Sequence, residues 1–214
     1  MNPLRRSLVA ALAATALPLP LSLRAQQGAG EYNTLTVSLP VENPAKVEVA
    51  EFFWYGCIHC YNLEPAIEAW VPKLPADTYF RRIPAMFNDR WALDGTIFYT
   101  FEALGLLPKL HRPFFDAIHK DRLKTDNAAA LNEWLAKNGV DQKKFEATMK
   151  SFAVQSKVKR AIQLTGGSRI DGTPALMVQG RYTISAEQGG TRDGLLAAAE
   201  RLIPIARKSL AATK

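Results

Sequence analysis

Hydrophobic and polar positions change period several times along this chain, and the changes divide it into blocks. Leu35-Thr-Val-Ser-Leu39 alternates and predicts a short edge strand. Pro40 and Pro44 then flank a turn. Lys46 to Tyr55 is the strongest strand signal, rich in β-branched and aromatic residues with no breaker before Gly56. Cys57 to Trp70 reads as a helix closed by Pro72 and Pro75, and Tyr79 to Phe87 as a second buried strand. Pro84 within it has no amide to give a ladder, which predicts an edge or a bulge there.

From Asp89 the helical period takes over. Asp89 is the expected cap of a helix through Leu104, with Gly105 as its stop, and Pro108 opens another towards Lys120. Asp126 is the expected cap of Asn127 to Lys137, which Asn138-Gly139 ends. Asp141 caps the next, and Phe152, Val154, Val158, Ile162 and Leu164 extend an apolar stripe to Gly166-Gly167. Strand signals return at Ala175 to Val178, with Gln179-Gly180 as a hairpin turn and Arg181 to Ile184 as the partner strand. Thr191 to Ala206 predicts a final amphipathic helix.

The order is strand, helix, strand, helical block, hairpin, helix. The simplest packing is one α/β sheet whose two halves are separated in sequence by a helical insertion, the first helix returning the chain to a parallel neighbour by a right-handed crossover. The expected boundaries are 26–88 and 169–214 for the two parts of the sheet domain and 89–168 for the insertion.

Residues 1–25 read differently. Arg5 and Arg6 precede an apolar stretch, Leu8 to Leu23, which contains Pro18 and Pro20 and leads to Arg24-Ala25. A basic start, a short apolar core and a small residue at the end predict a secretory signal peptide cleaved after Ala25, and so a periplasmic protein. The formal net charge is +7; Arg5, Arg6 and Arg24 fall in the leader, leaving +4. That is too mild, and the basic residues too dispersed, to indicate a nucleic-acid partner.

Export changes the meaning of "EFFWYGCIHCYNLEP", residues 51–65, which contains the chain's 2 cysteines, Cys57 and Cys60. Outside the cytosol disulfides persist. A zinc site would need two further ligands; there is no second cysteine pair, and His111 and His119 are not at the usual ligand spacing, so no metal is expected. A structural disulfide closing so short a loop removes almost no unfolded-state entropy. A redox pair fits. Cys57 follows a strand and opens a helix, where unpaired amides and the dipole favour a thiolate, and His59 can add a donor and a charge. Cys60, one turn further in, is expected to be buried and to attack a mixed disulfide held at Cys57. A folded pKa of ~4 would stabilise the reduced form by about 4 kcal/mol at pH 7, making the pair more oxidising by the order of 90 mV. Val47, Val49, Glu51 and Phe53 share one strand parity, which predicts a buried carboxyl at Glu51.

"EFFWYGCIHC", the helical block and "GTPALMVQGRY" together resemble the thiol:disulfide interchange proteins of the DsbA family, over most of the chain from about Val47 onward. The resemblance implies a thioredoxin-like fold with an inserted helical domain and no bound cofactor. It implies Cys57 as the attacked sulfur, Cys60 as its resolving partner and His59 as the residue that tunes it. It further implies a cis peptide before Pro174, with Thr173 and Pro174 presenting backbone to an extended substrate. Glu51 would lie under the dithiol and handle protons, with Arg82 as its basic counterpart. Ile58 departs from the pattern, since the best known members carry proline there.

The leading expectation is therefore an exported monomeric oxidase that passes its disulfide to unfolded exported proteins with cysteines and is reoxidised by a DsbB-type membrane quinone reductase. Trp54, Tyr55, Met86 and Phe87 are expected either to line a groove for those chains or to pack in the core. A reductase or isomerase of the same fold, and a chaperone or binding module without turnover, remain open at this level.

Overall fold

The computed structural model describes residues 30–212, so the expected leader, 1–25, lies outside the described residues. The elements, in chain order, are β1 (Asn33–Thr34), β2 (Val47–Phe53), α1 (Ile58–Trp70), a 3-10 turn (Val71–Lys73), β3 (Thr78–Pro84), α2 (Asp89–Ala103), α3 (Leu107–His119), α4 (Ala128–Lys137), α5 (Gln142–Met149), α6 (Phe152–Ser168), β4 (Ala175–Val178), β5 (Tyr182–Ser185), α7 (Ala186–Gly189) and α8 (Arg192–Ala212).

The strands form a five-stranded sheet in the order β1-β5-β4-β2-β3. α1 connects β2 to its parallel neighbour β3, whereas β4 runs antiparallel to β2 and β5 antiparallel to β4. β2 is central, and all seven of its residues are buried. Apolar residues on both parities, Val47, Val49 and Phe53 on one and Ala50 and Phe52 on the other, fit burial of both faces, and Glu48 and Glu51 are buried acidic residues among them. Val47 and Val49 pack with Leu63 and Ile67 of α1 and with α8; Ala50, Phe52 and Phe53 pack with the helices between β3 and β4. β3 lies at the sheet edge, so Pro84 at its end forfeits no central ladder bond. Gln179 and Gly180 both have positive φ, +52° and +62°, at the centre of a turn that the Arg181 amide closes on the Val178 carbonyl at 3.1 Å, between the paired Val178 and Tyr182.

Several local expectations shift. The first strand is Asn33–Thr34, not Leu35–Leu39; the Leu35 and Leu39 amides donate to the carbonyls of Arg181 and Gly180, Leu35 is buried and Leu39 packs against the core, but Val37 between them is exposed. The caps of α2 and α4 are Asn88 and Asn127, one residue away from Asp89 and Asp126. Each asparagine accepts from the amide three residues on, Trp91 and Ala130, both at 3.1 Å. Ser151 caps α6 and separates it from α5, so the apolar stripe lies wholly within α6. Val154, Val158, Ala161 and Leu164 point inward, while Phe152 and Ile162 are exposed. Gly166 and Gly167 lie inside α6, and α8 runs on to Ala212 through Pro204.

Candidate redox site

The dithiol sits where β2 gives way to α1. β2 ends at Phe53, Trp54-Tyr55-Gly56 turns the chain, and Cys57 is the N-cap of α1. Its backbone is extended, and its Sγ accepts from the Cys60 amide at 3.4 Å, the place a serine or aspartate oxygen takes in an ordinary cap. Cys57 is half-buried, Cys60 fully buried, and both are free thiols. Gly56 is required by close approach: a Cβ there would meet the Trp54 ring at 2.3 Å.

Opposite the pair lies the Thr173–Pro174 peptide, which is cis. The Cys57 thiol donates to the Thr173 carbonyl at 3.3 Å. His59 is exposed and, with Leu63, Pro174, Thr191 and Leu195, lines a cavity of about 430 Å³ beside the sulfurs.

The two sulfurs are driven apart electrostatically. The hydrogen bond from the Cys60 side chain, with the amides of Cys60 and His59, overcomes the cost of burial and lowers the Cys57 pKa to about 5. For Cys60, burial comes first, and the hydrogen bond to Cys57 and the charges of Cys57 and Glu51 add to it, so its thiol is pushed well up. One turn of helix thus carries one acidic and one reluctant thiol.

Glu51 lies on β2, fully buried, with Leu176 of β4 opposite on one side and Arg82 of β3 on the other. Burial, then the charge of Glu64, raise its pKa well above the usual carboxylate range; Arg82 opposes this. Neither carboxyl oxygen of Glu51 has a hydrogen-bond partner, and the nearest cation, Arg82 Nε, is 3.5 Å away. Arg82 is committed instead to Glu64 of α1, through Nε at 3.1 Å and Nη2 at 2.7 Å.

Glu64, His111 and Trp91 were not singled out from the sequence as site residues. Glu64 follows Cys60 by four positions, so the helical period alone places it on the buried face with Ile67; that signal was available. In the sequence His111 enters only as a possible metal ligand. It is buried between Tyr55 and Glu64, its Nδ1 2.8 Å from the Tyr55 hydroxyl and its Nε2 3.2 Å from Glu64 Oε1. His119 Nε2 lies 2.8 Å from the Tyr55 carbonyl and so ties α3 to the turn before Cys57. Of the four residues considered for a groove, Tyr55 and Met86 are core residues, whereas Trp54 and Phe87 reach the surface. Trp54 stacks on Trp91 with ring centroids 4.3 Å apart, and Phe87 meets Trp91 edge-on at 5.1 Å.

Residues 82–193 match the model of the DSBA-like thioredoxin domain. Among curated proteins, the thiol:disulfide interchange protein DsbA of Azotobacter vinelandii is 42% identical over 81% of this chain and 81% of its own. That of Bordetella parapertussis is 40% identical over 93% of this chain and 94% of its own. Among solved structures, Pseudomonas aeruginosa DsbA superposes with a TM-score of 0.79 at 38% identity, covering 86% of this chain and 95% of that one. The sheet interrupted by helices is thus a thioredoxin-like fold, and with its Cys-x-x-Cys pair at the head of α1 the chain belongs to the DsbA family of thiol:disulfide oxidoreductases.

Proposed function

We propose that this oxidoreductase works as an oxidase, donating a Cys57–Cys60 disulfide to cysteine pairs of unfolded exported proteins. The observation that carries the direction is the cap geometry of Cys57. A sulfur that terminates a helix and accepts from its amides is favoured as a thiolate. Only the reduced protein has that thiolate, so the environment favours reduction, and a disulfide that prefers reduction is passed on.

The roles follow from position. A substrate thiolate attacks Cys57 Sγ. The Cys57–Cys60 bond breaks, its electron pair stays on Cys60, and Cys60 takes a proton from Glu51, which recovers one from solvent. A second substrate thiolate attacks the first substrate sulfur, and the electron pair of the mixed disulfide stays on Cys57 as thiolate. The substrate dithiol is oxidised and the enzyme reduced. His59 contributes through its amide, and its exposed ring flanks the cavity beside Pro174. Thr173 and Pro174 receive an extended substrate backbone. Trp54, Trp91 and Phe87 offer the incoming chain an aromatic surface.

The same reading makes the protein a periplasmic monomer with residues 1–25 as a cleaved leader. Residues 26–88 and 169–214 form its sheet domain and 89–168 the inserted helical domain. A DsbB-type quinone reductase restores the disulfide. Equilibration of the purified pair with glutathione tests the direction: an oxidase stays reduced in buffers that leave thioredoxin-like reductants oxidised. A potential near ~−270 mV would assign the protein as a reductase instead.

A further inference from the structure

Two buried carboxyl groups, Glu51 and Glu64, compete behind the dithiol for one guanidinium. Glu64 has it. Arg82 gives Glu64 two bonds, at 3.1 and 2.7 Å, a forked geometry that is both stronger and more directional than a single contact. His111 adds a third donor to the same carboxylate, since an acceptor-only oxygen requires Nε2 to carry the hydrogen while Nδ1 accepts from the Tyr55 hydroxyl. Glu51, opposite Arg82 in the sheet register, is left with no hydrogen bond at all.

We propose that Glu64 and His111 are positioning residues for disulfide exchange: by holding both Arg82 hydrogen bonds on Glu64 they leave the guanidinium only a 3.5 Å ion-pair neighbour of Glu51, without a hydrogen bond to it, and so leave the Glu51 carboxyl able to carry the proton that Cys60 needs. This rests on the reading of Glu51 as the proton donor to Cys60. The physical reason is that a carboxyl gripped by a guanidinium stays ionised and has no proton to give. The charged and titratable groups facing Glu51 are Cys57, Cys60 and Glu64 from the α1 side and Arg82 from β3. Those facing His111 are Glu64 and Glu68 of α1, Arg82 of β3 and the Tyr55 hydroxyl. Burial keeps His111 below its usual pKa, and its bond, after opposing burial, helps hold Glu64 below the carboxylate range, so both are in the protonation states this arrangement needs at neutral pH. Arg82 and His111 line a cavity of about 430 Å³ between β3, α2 and α3, on whose wall neither Glu51 nor Glu64 is found; the guanidinium and one of the two residues that position it are the part of the network that meets solvent.

The test is infrared spectroscopy of the neutral-carboxyl stretch in the oxidised protein, where neither sulfur can ionise. The band at pH 7 is assigned to Glu51 by its loss in Glu51→Gln. Glu64→Gln frees Arg82 for Glu51 and is expected to abolish the band at pH 7, moving its titration down by roughly 1–3 pH units. His111→Phe is expected to move it the same way by less, and His111→Gln, which keeps a donor, to restore it. The rate of reduction by a small thiol should fall in Glu64→Gln and recover towards wild type as pH is lowered and Glu51 regains its proton. A Glu51 band equally strong at pH 7 in Glu64→Gln and wild type overturns the proposal, as does its absence from wild type. If Glu64→Gln fails to fold, the Phe and Gln variants of His111 carry the test, and an unmoved titration in His111→Phe overturns it. The band is read without reference to redox potential, so failure here is distinct from failure of the oxidase assignment.

Discussion

Consider the stability of the reduced protein relative to the oxidised protein as pH is lowered from 7 to 4. The perturbation acts on Cys57, whose pKa falls from 9.0 to about 5 on folding. For a group depressed in the folded state, the stabilisation is complete above the unfolded pKa and is lost as pH falls through the folded one. At pH 7 the unfolded thiol is still protonated and the folded one ionised. The gain from pH 5 to pH 7 accrues at about 1.4 kcal/mol per pH unit, or about 2.7 kcal/mol. Cys57 is partly open to solvent, which screens part of this, and about 2 kcal/mol is the expected remainder. At pH 4 it is gone. Carboxylates such as Glu64 titrate in both redox forms and largely cancel in the difference, and the short-loop entropy of the disulfide does not depend on pH. The assay is guanidinium unfolding of both forms at matched pH values, with the thiolate absorbance of the reduced protein followed alongside. The reduced form should lose about 2 kcal/mol against the oxidised form between pH 7 and pH 4, most of it steadily between pH 7 and pH 5, with the curve levelling off below pH 5. The same quantity corresponds to roughly 40 mV of oxidising power, at about 1.4 kcal/mol per 30 mV. A stability difference that stays flat over this range, with the thiol still protonated at pH 7, would refute the reasoning.

Three other outcomes can be checked directly. Cys60→Ala removes the largest of the influences lowering Cys57, so the thiolate absorbance of the variant should titrate roughly one pH unit or more higher than in wild type. Gly56→Ala forces a methyl group into the Trp54 ring; denaturant unfolding should show a loss of about 1–3 kcal/mol, with altered tryptophan fluorescence as the Trp54–Trp91 stack shifts. Glu48 is buried and bonded to Arg81 at 2.8 Å and to the Tyr79 hydroxyl at 2.6 Å, far from the sulfurs in role. Glu48→Ala should cost about 1–3 kcal/mol in the same assay by leaving Arg81 with only the exposed Glu42 as its anionic partner, while leaving the Cys57 titration in place.

Strand β2, the hairpin at Gln179-Gly180 and the cysteine pair at a strand-to-helix junction were all legible along the chain, because each rests on local chemistry: β-branched runs, turn residues with positive φ, and an N-cap. The caps lie one residue before Asp89 and one residue after Asp126, since asparagine and aspartate cap equally well and only backbone geometry selects Asn88 and Asn127. The stripe through Phe152 and Ile162 differs from the buried face because both lie within α6 but off it: Phe152, two residues before Val154, falls roughly 200° around the helix at about 100° per residue, and the buried row runs Val154, Val158, Ala161 and Leu164 instead.

By itself, the sequence determined the order of elements, the thiol pair and a buried carboxyl at Glu51, since periodicity and spacing act within a few residues. Tertiary structure alone decided which carboxyl receives Arg82. Glu51, Glu64, Arg82 and His111 come from β2, α1, β3 and α3, and a guanidinium's choice between two acids depends on distances of a few tenths of an ångström and on a third donor across the fold. The same holds for Thr173, 116 residues from Cys57 along the chain, which the sheet brings to within 3.3 Å of its sulfur. Contacts between distant segments in a low-dielectric interior set protonation, and no pattern along one dimension encodes them.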